Sequence, residues 1–485
     1  MELTKLFNYI PEVAKPEEKK LDFNTKLKWT LIVLGAYFIL ANVPLFALSN
    51  NALERFKYLA IIMGTEFGSI ISLGIGPIVM ASVILQLLVG AGILNINTST
   101  VEGKKLFTGV QKLLVFFFIL FEATIYVMMQ GLQAVPGFAP LVIFQLILGG
   151  LAIFYMDDVM QKWGFGSGVS MFIAAGVSWN VFTSAFQFVD QQGRNCLINF
   201  SGADAVNCPG RVWVLFQSIV NKYPVEFVSA AATLIITALI FLLVVWAQSL
   251  KVEIPLSYGK VRGYGVKWPL SFFYASVLPV ILTAALIANI QLFGSLIENV
   301  ATPCLDIADP SGVCGGMAKF ASYFTWMGRF SDGQAYQGLA FWMGSTQLTE
   351  MLIRGNFVWK YLLQGIIHTA FFVFFSTIFA VFWVKTAGMD SKSQAEKIAA
   401  SGFQVAGFRQ DTRILESILD RYILPLTIMG GIAIGLLASV TNLLGALVSG
   451  TAMLLVIMIM YQFYQNIAHQ HVTDMNPAFR KMMGN

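Results

Sequence analysis

Ionisable side chains within the apolar stretches are the first place to look for chemistry, and this sequence has few of them. Glu122 lies within an apolar run at 106–132, and His368 stands alone in another at 361–384. An intramembrane carboxylate is a default candidate for proton or ion coupling. A single histidine on an apolar face is more typical of a packed or hydrogen-bonded core. Because coupled transport usually needs several such groups, this scarcity argues against an ion-coupled transporter.

Enzyme chemistry has little support in the residue patterns. The sequence contains no HExxH, no GxSxG and no Walker A motif, the patterns of metalloproteases, hydrolases and nucleotide-binding enzymes. The glycine-rich segment 164–168 precedes an apolar run and has no strand pattern before it. It therefore predicts the start of a helix and not a nucleotide-binding loop. We expect no enzyme activity, no catalytic residues and no cofactor.

The amino-acid composition indicates the class of fold that must position these residues. Of the 485 residues, 57% are hydrophobic and only 12% are charged, whereas an average soluble domain is about 45–50% apolar and about 25% charged. So few charges cannot cover the surface of a soluble globule of this length. The composition thus excludes a cytosolic enzyme, a nucleic-acid-binding domain and a disordered chain. An all-α polytopic membrane protein is expected.

The apolar runs predict ten membrane-spanning helices, five in each half of the chain. They lie at 29–48, 70–93, 106–132, 138–156, 168–189, 225–250, 270–296, 361–384, 418–440 and 443–468. Five spans per half would give the halves opposite orientations, the signature of an inverted repeat with a functional site at the repeat interface. The predicted divisions are a first half at 1–189, an external hinge loop at 190–224, a second half at 225–468 and a tail at 469–485.

A short apolar segment at about 53–65 follows the first span. At about 1.5 Å per residue it covers only about 20 Å, too little for about 30 Å of hydrocarbon. Gly74, Gly76 and Pro77 then interrupt the helix pattern before the second span. A re-entrant half-helix that fills a cavity and an external interfacial helix both fit this spacing, which does not separate them.

The placement of basic residues predicts the orientation in the membrane. An even number of spans puts both termini on one side. That side carries 22 of the 31 Lys and Arg residues, and basic loops face the cytoplasm. Both termini are therefore predicted to be cytoplasmic.

The four cysteines form two pairs in polar loops, and this orientation places both pairs outside. The pairs are Cys196 with Cys208 and Cys304 with Cys314. Neither has zinc-finger spacing or a nearby histidine, so no metal site is expected. Outside loops permit disulfides, and both bridged and free cysteines stay open.

Two long loops on the predicted cytoplasmic side carry basic residues. The loop at 251–268 alternates apolar and polar residues like a strand and contains Lys260, Arg262 and Lys267. The loop at 385–421 contains Arg409. Such loops suit a large anionic partner, with ribosomal RNA the first candidate. The alternative is that these charges serve only to orient the protein in the membrane. It explains the number of basic residues but not the recurrence of glycine and aromatic residues in the loops.

Four stretches of sequence resemble the SecY family of protein-conducting channels, in its archaeal and eukaryotic form, and the similarity runs nearly end to end. They are GIGPIVMASVILQLLVGAG (74–92), GFGSGVSMFIAAGVS (164–178), KVEIPLSYGKVRGYGVKWPL (251–270) and AGMDSKSQAEKIAASGFQVAGFR (387–409). The resemblance implies ten spans in two pseudo-symmetric halves that form an hourglass, closed at the waist by aliphatic side chains.

Carried over position by position, the resemblance implies functional roles for named residues. The ring at the waist comprises Ile75, Val79, Val169, Ile173, Ile281 and Leu455. A narrow apolar constriction of this kind gates by dewetting. The segment at about 53–67 becomes a plug. The lateral gate lies between spans 2–3 and spans 7–8, with Asn289 as the principal polar residue and Glu122 and Gln130 as weaker nominations.

The resemblance also implies partners and a mechanism. Lys260, Arg262, Lys267 and Arg409 would meet the ribosome. The expected partners are the SecE (gamma) subunit, the small beta subunit, the ribosome, the signal-recognition particle receptor, the nascent polypeptide and membrane lipid, with no direct DNA binding. The channel would be a passive pore in the cell membrane that binds signal sequences.

Two other functions compete with the channel. A secondary transporter with inverted repeats predicts a small-solute site at the bilayer midplane and an essential carboxylate, for which Glu122 is the candidate. A membrane scaffold without a conduit predicts no conductance under any substitution.

Overall fold

The computed structural model describes residues 12–17, 21–51, 65–90, 92–94, 96, 100–190, 193–198, 208–258, 265–275, 278–305, 320–331, 334–400, 403–405 and 412–475. Within these residues the fold is dominated by fourteen helices. They are α1 (Phe23–Ala41), α2 (Gly76–Gly90), α3 (Val101–Met128), α4 (Ala139–Trp163), α5 (Gly168–Phe186), α6 (Arg211–Val220), α7 (Pro224–Ser249), α8 (Leu278–Leu305), α9 (Leu339–Met343), α10 (Leu348–Ile353), α11 (Trp359–Thr386), α12 (Ser391–Ala400), α13 (Thr412–Leu444) and α14 (Gly450–Met475).

Ten of these helices occupy the positions of the ten predicted spans, and the predicted fold class is confirmed. Eight of them are long and apolar enough to cross a membrane. The other two are α1, whose first turns carry Lys26 and Lys28, and α2, which has only 15 residues. The arrangement therefore fits ten spans, although the helix boundaries differ from the predicted ones.

Non-helical backbone precedes α2, so the prediction that the second span starts at residue 70 was wrong. Residues 65–75 form successive turns, and Gly74 adopts a positive φ of 53°. Ile71 and Leu73 are fully buried, and the Thr65 hydroxyl donates to the Ile71 carbonyl at 2.6 Å. Burial in protein is what permits irregular backbone at membrane depth. Most of the predicted plug, residues 52–64, lies outside the described residues.

Seven short strands form three small antiparallel sheets among the described residues. They are β1 (Leu48–Asn51), β2 (Leu132–Ala134), β3 (Lys251–Tyr258), β4 (Gly265–Ser271), β5 (Arg329–Ser331), β6 (Gln334–Gln337) and β7 (Phe403–Val405). β1 pairs with β2, β5 with β6, and the third sheet has the order β4–β3–β7. Each pairing joins segments that lie between long helices.

The β4–β3–β7 sheet confirms the strand pattern predicted for the first basic loop. β3 and β4 form a hairpin with Lys251 opposite Ser271 and Ser257 opposite Gly265. The strand β7 comes from the second basic loop and pairs with the end of β3. The prediction that the seventh span starts at Leu270 was wrong, because Leu270 lies in β4 and is buried in a cluster with Ile254 and residues of α11, α12 and α13.

Small residues let α13 pack closely on α11. A Cβ atom added at Gly435 would lie 2.8 Å from the Cα atom of Val373, and one at Gly431 would lie 3.0 Å from that of Thr377. The hydroxyl of Ser376 donates to the Gly431 carbonyl at 3.1 Å. Small residues that admit close backbone approach are typical of helix pairs in membranes.

We expect Gly435→Ala to destabilise the protein by about 1–3 kcal/mol, because the added methyl group meets backbone that cannot yield locally. The matched control is Gly35→Ala on α1, where an added Cβ has no atom within 4 Å. That change should be neutral or stabilise by up to about 1 kcal/mol through helix propensity. Thermal unfolding of the purified protein in detergent measures both, and equal melting temperatures would contradict the close-packing argument.

Candidate functional site

A cavity of about 650 Å³ opens on the side of the helix bundle that carries the β4–β3–β7 sheet. Its walls come mainly from seven helices: α2, α3, α4, α5, α8, α11 and α14. Helices from both halves of the chain contribute, as expected for a site at a repeat interface. We call this cavity the vestibule.

The vestibule has a mixed lining, and apart from Asp157 the polar residues in its walls carry no charge. They include Ser82, Gln86, Gln111, Gln161 and Asn466. The Gln111 side chain donates to the Ser82 hydroxyl at 2.7 Å and so ties α3 to α2. Amide and hydroxyl groups can exchange hydrogen bonds with water and with any peptide backbone. The vestibule thus suits a hydrated polypeptide better than a ligand recognised by charge.

The floor of the vestibule is aliphatic and contains half of the predicted ring. Val79, Val169 and Ile281 line the cavity. The other three ring residues do not line it, and Ile75 and Ile173 are each four residues from a lining residue of the same segment. Leu455 is likewise four residues from Ile459, which lines the cavity on α14. One helical turn separates such pairs, so Ile75, Ile173 and Leu455 each lie one turn away from a residue that lines the cavity.

The residues predicted to form the ring are buried. All six predicted ring residues are at most 8% exposed, and they belong to one hydrophobic cluster that joins both halves of the chain. Branched aliphatic side chains make no directional bonds, so the same residues can pack against each other or against another apolar chain. Water does not readily enter an apolar constriction.

A buried carboxylate positions the Val169 backbone. Asp157 on α4 accepts a hydrogen bond from the Val169 backbone N–H at 3.0 Å and another from the Gln161 side chain at 2.8 Å. Gly168 makes the approach possible, because an added Cβ would lie 2.7 Å from the Cα atom of Asp157. Sequence reasoning did not nominate Asp157. The available signal was an acidic residue shortly before the glycine-rich segment that starts α5.

The glycine-rich segment 164–168 is the start of a helix, as predicted. Ser167 is the N-cap of α5, and its side chain accepts from the Ser170 backbone N–H at 3.4 Å. The Asp157 carboxylate adds a second acceptor at the same helix end. Acceptors at these positions satisfy amide groups that have no partner within the helix.

The three residues nominated for a lateral gate differ in burial and in hydrogen bonding. Asn289 is buried on α8, and its side-chain N–H donates to the Ala285 carbonyl at 2.8 Å, while its oxygen has no partner among the described residues. Glu122 is fully buried on α3, and neither of its oxygens has a partner in the described part of the chain. Gln130 is exposed beyond the end of α3, so its placement within the third span was wrong.

The contacts across the predicted gate come from α2, which packs on both α8 and α11. At Gly90, an added Cβ would lie 2.5 Å from the ring of Phe382 on α11. No hydrogen bond joins Asn289, Glu122 and Gln130 to each other among the residues described here. The contact between α2 and α11 at this point is therefore apolar.

One of the four predicted docking residues, Lys267, lies in the described part of the sheet. Lys267 on β4 is exposed and pairs with Glu253 on β3 at 2.7 Å. The hydrogen bond from Lys267 to the Glu253 carboxylate raises the pKa of the lysine, which stays charged at neutral pH. Lys260, Arg262 and Arg409 lie outside the described residues.

Two further predictions concern His368 and the cysteines. His368 is a hydrogen-bonded core residue, as predicted, with its Nδ1 atom 2.7 Å from the Met343 carbonyl and its Nε2 atom 3.3 Å from the Asn442 amide. Cys196 and Cys208 form a disulfide. The Cys304 side chain and Cys314 lie outside the described part of the chain. Among the residues described, no cluster of His, Cys, Asp and Glu could hold a metal ion.

Fold and cavity together define a class of protein: a polytopic membrane protein whose helices surround a vestibule with uncharged polar groups in its walls and an aliphatic floor. The family model for SecY matches residues 69–464. The chain belongs to the SecY family.

Known relatives resemble the chain over its whole length. The protein translocase subunit SecY of Methanothermobacter thermautotrophicus is 38% identical, and the match covers 99% of this chain and 98% of the relative. The solved structure described as that of a protein conducting channel is similar with a TM-score of 0.79 and 33% identity, covering 99% of both chains. Sec61 in the canine ribosome-channel complex from the endoplasmic reticulum is similar with a TM-score of 0.75 and 32% identity, again covering 99% of both.

Proposed function

We propose that the chain is the pore-forming subunit of a protein translocation channel. It conducts unfolded polypeptides across the membrane and releases apolar segments sideways into lipid. The observation that carries this proposal is a vestibule with uncharged polar groups in its walls and, at its floor, buried aliphatic residues from both halves of the chain. The names of the relatives favour the same function over a small-solute transporter.

The ring, the gate and the plug have different roles in this channel. The ring residues Val79, Val169 and Ile281 seal the resting pore and grip a chain without selecting its sequence, since they make no directional bonds. The boundary of α2 with α8 and α11 opens to lipid, with Asn289 as its principal polar group. The segment at about 53–67 plugs the pore from the far side.

The pore is passive and takes its energy from a partner. We propose that the basic loops dock the ribosome, a role supported by the canine relative solved in a ribosome-channel complex. The SecE (gamma) subunit, the small beta subunit and the signal-recognition particle receptor complete the proposed set of protein partners. The substrate is a nascent polypeptide carrying a signal sequence.

We place both termini, the vestibule and the β4–β3–β7 sheet on the cytoplasmic side of the cell membrane. The distribution of basic residues supports this orientation. So does the disulfide between Cys196 and Cys208, because it follows the far end of α5 from the vestibule and disulfides persist outside the cytoplasm.

Cross-linking a stalled nascent chain tests the translocation pathway. A photoreactive residue at Val169 should form an adduct with a ribosome-bound secretory chain, because the chain must pass the floor of the vestibule. The control position is Phe182 on the same helix, which is 59% exposed on the outer face of the bundle. Adducts from Phe182 alone, or equal adducts from a chain without a signal sequence, would contradict the pathway.

We expect charge reversal in the docking loops to weaken ribosome binding without unfolding the protein. Lys267→Glu combined with Arg409→Glu should lower the affinity for the ribosome by at least about tenfold at low salt. When a contact with a phosphate is lost, fewer counterions are released from the RNA on binding, and the binding free energy is weakened. The control is Lys360→Glu, on the opposite side of the bundle at the start of α11. Sedimentation with ribosomes at several salt concentrations measures the change, and unchanged binding at low salt would remove the docking assignment.

A further inference from the structure

The short helix α6 lies in the segment predicted as a plain hinge loop, between the two halves of the chain. It begins close to the end of α5, where the Gly210 N–H donates to the Gln187 carbonyl at 2.9 Å. A Cβ at Gly210 would lie 2.6 Å from that same carbonyl oxygen. The Trp213 indole N–H donates to the Phe186 carbonyl at 2.8 Å. The start of α6 is thus fixed to the end of a membrane span.

The polarity of α6 is inverted relative to a helix on a soluble protein. Its polar residues face inward: Gln217 and Ser218 are 7% and 4% exposed. Three apolar residues near its C-terminal end face outward: Phe216, Ile219 and Val220 are 51%, 57% and 53% exposed. In water the apolar face of a helix turns toward the core, whereas a helix at a membrane surface turns it toward lipid.

The inward side of α6 packs against the rest of the protein. The Gln217 side-chain oxygen accepts from the Cys208 backbone N–H at 3.2 Å. The buried disulfide packs against Trp213 and Val214. Because these contacts fix the rotation of the helix about its axis, the exposure of its apolar face is built into the fold.

The apolar face of α6 continues into surfaces that the membrane covers. Phe186 at the end of α5 is 45% exposed, and Val225 and Val228 in the first turns of α7 are each 48% exposed. Both helices are long and apolar enough to span a membrane. No other chain is needed to explain a face that extends the lipid-covered surface of its two neighbours.

Basic and aromatic residues stand at the two ends of α6. Arg211 is its first residue, and Lys222 and Tyr223 follow its C-cap residue Asn221. Neither Arg211 nor Lys222 forms an ion pair among the described residues. Cations and amphipathic aromatic rings at such positions are typical of segments at the level of lipid headgroups.

We propose that α6 is an interfacial helix seated in the membrane leaflet on the disulfide side. Phe216, Ile219 and Val220 enter the boundary between headgroups and acyl chains, and Arg211 and Lys222 meet lipid phosphates. The occupant of this surface is phospholipid. The proposal depends on the protein being embedded in a membrane and not on its role in translocation.

Photocross-linking to lipid tests the proposal in the full-length protein with its partner subunits, reconstituted into vesicles of radiolabelled phosphatidylcholine. The variant Ile219→p-benzoylphenylalanine should form lipid adducts within about twofold of Leu242→p-benzoylphenylalanine, because both residues would contact acyl chains. Leu242 is a lipid-facing position on α7, with 67% exposure. The matched negative control replaces Val252 on β3, an exposed aliphatic residue on the sheet outside the spans.

The expected lipid yield at Ile219 is about tenfold above that at Val252, since water and not lipid should surround the sheet. A lipid yield equal to that of Val252 would overturn the proposal, as would an adduct with a protein subunit in place of lipid. If the Ile219 variant does not fold, Phe216→p-benzoylphenylalanine replaces one aromatic ring by another on the same face and is judged by the same outcomes.

Discussion

Replacing Ile281 with Asn is expected to raise the ion conductance of the resting channel by about tenfold. Ile281 lies on the vestibule floor and is 2% exposed. An amide at this point offers water a hydrogen bond worth about 1–1.5 kcal/mol, and about 1.4 kcal/mol corresponds to a factor of ten in an equilibrium. The population of the water-filled state of the constriction should therefore rise by about tenfold. Single-channel recording in planar bilayers measures the conductance.

Two variants separate wetting from general damage. Ile290→Asn makes the same change on α8 at a residue that does not line the vestibule, and it should leave the resting conductance unchanged. Ile281→Val keeps a branched aliphatic side chain and should stay sealed. Equal conductance for Ile281→Asn and the unmodified channel would show that Ile281 is not part of the seal.

The second large effect is expected at Asp157. Asp157→Ala leaves the Val169 N–H and the Gln161 amide without their acceptor, which should destabilise the protein by about 1–3 kcal/mol. Because the lost hydrogen bond holds the backbone of a floor residue, the resting conductance should also rise. Asp157→Asn retains one oxygen that can accept from Val169 and should restore much of the seal.

The neighbouring residue Asp158 provides the matched control. Its carboxylate accepts from the Val13 N–H at 3.0 Å and pairs with Lys162 at 2.8 Å, so it holds the N-terminal segment and not the vestibule floor. Asp158→Ala should lower the melting temperature without raising the conductance. A conductance that rises equally in both alanine variants would mean that Asp157 acts only through overall stability.

The same N-terminal segment also carries Glu12, which is paired with Lys112 at 2.6 Å. The hydrogen bond from Lys112 holds the pKa of Glu12 below its usual value. The stabilisation from this pair is therefore present above the ordinary carboxylate pKa and is lost as the pH falls through the lowered value. The attachment of the N-terminal segment should weaken only in acid.

Local patterns predicted much of this fold. Apolar runs located ten helices, because length and hydropathy are properties of contiguous sequence. The alternation at 251–268 predicted the β3–β4 hairpin, and the glycine-rich segment 164–168 predicted the start of α5. The isolated histidine in the eighth span predicted a core residue, and His368 is one.

Features that depend on distant residues were not predictable in this way. Asp157 gains its role from Val169, which begins a different helix. The strand β7 exists because it pairs with β3, which is about 150 residues earlier in the chain by the β3–β7 register. The inverted polarity of α6 requires knowledge of which face meets the rest of the protein. The ring, gate and docking roles come from resemblance to a family, since an aliphatic residue in a membrane span carries no functional signal alone.

The pairing of β7 with β3 has a mechanical consequence. It ties the segment between α7 and α8 to the segment between α11 and α13, so a load placed on either segment is shared by both. The hairpin ends at Ser271, and α8 starts only a few residues later, at Leu278. Ile281 lies in the first turn of that helix. The sheet is thus joined to the helix that carries Ile281 by a short segment, and a force applied to the sheet acts on α8 close to the vestibule floor.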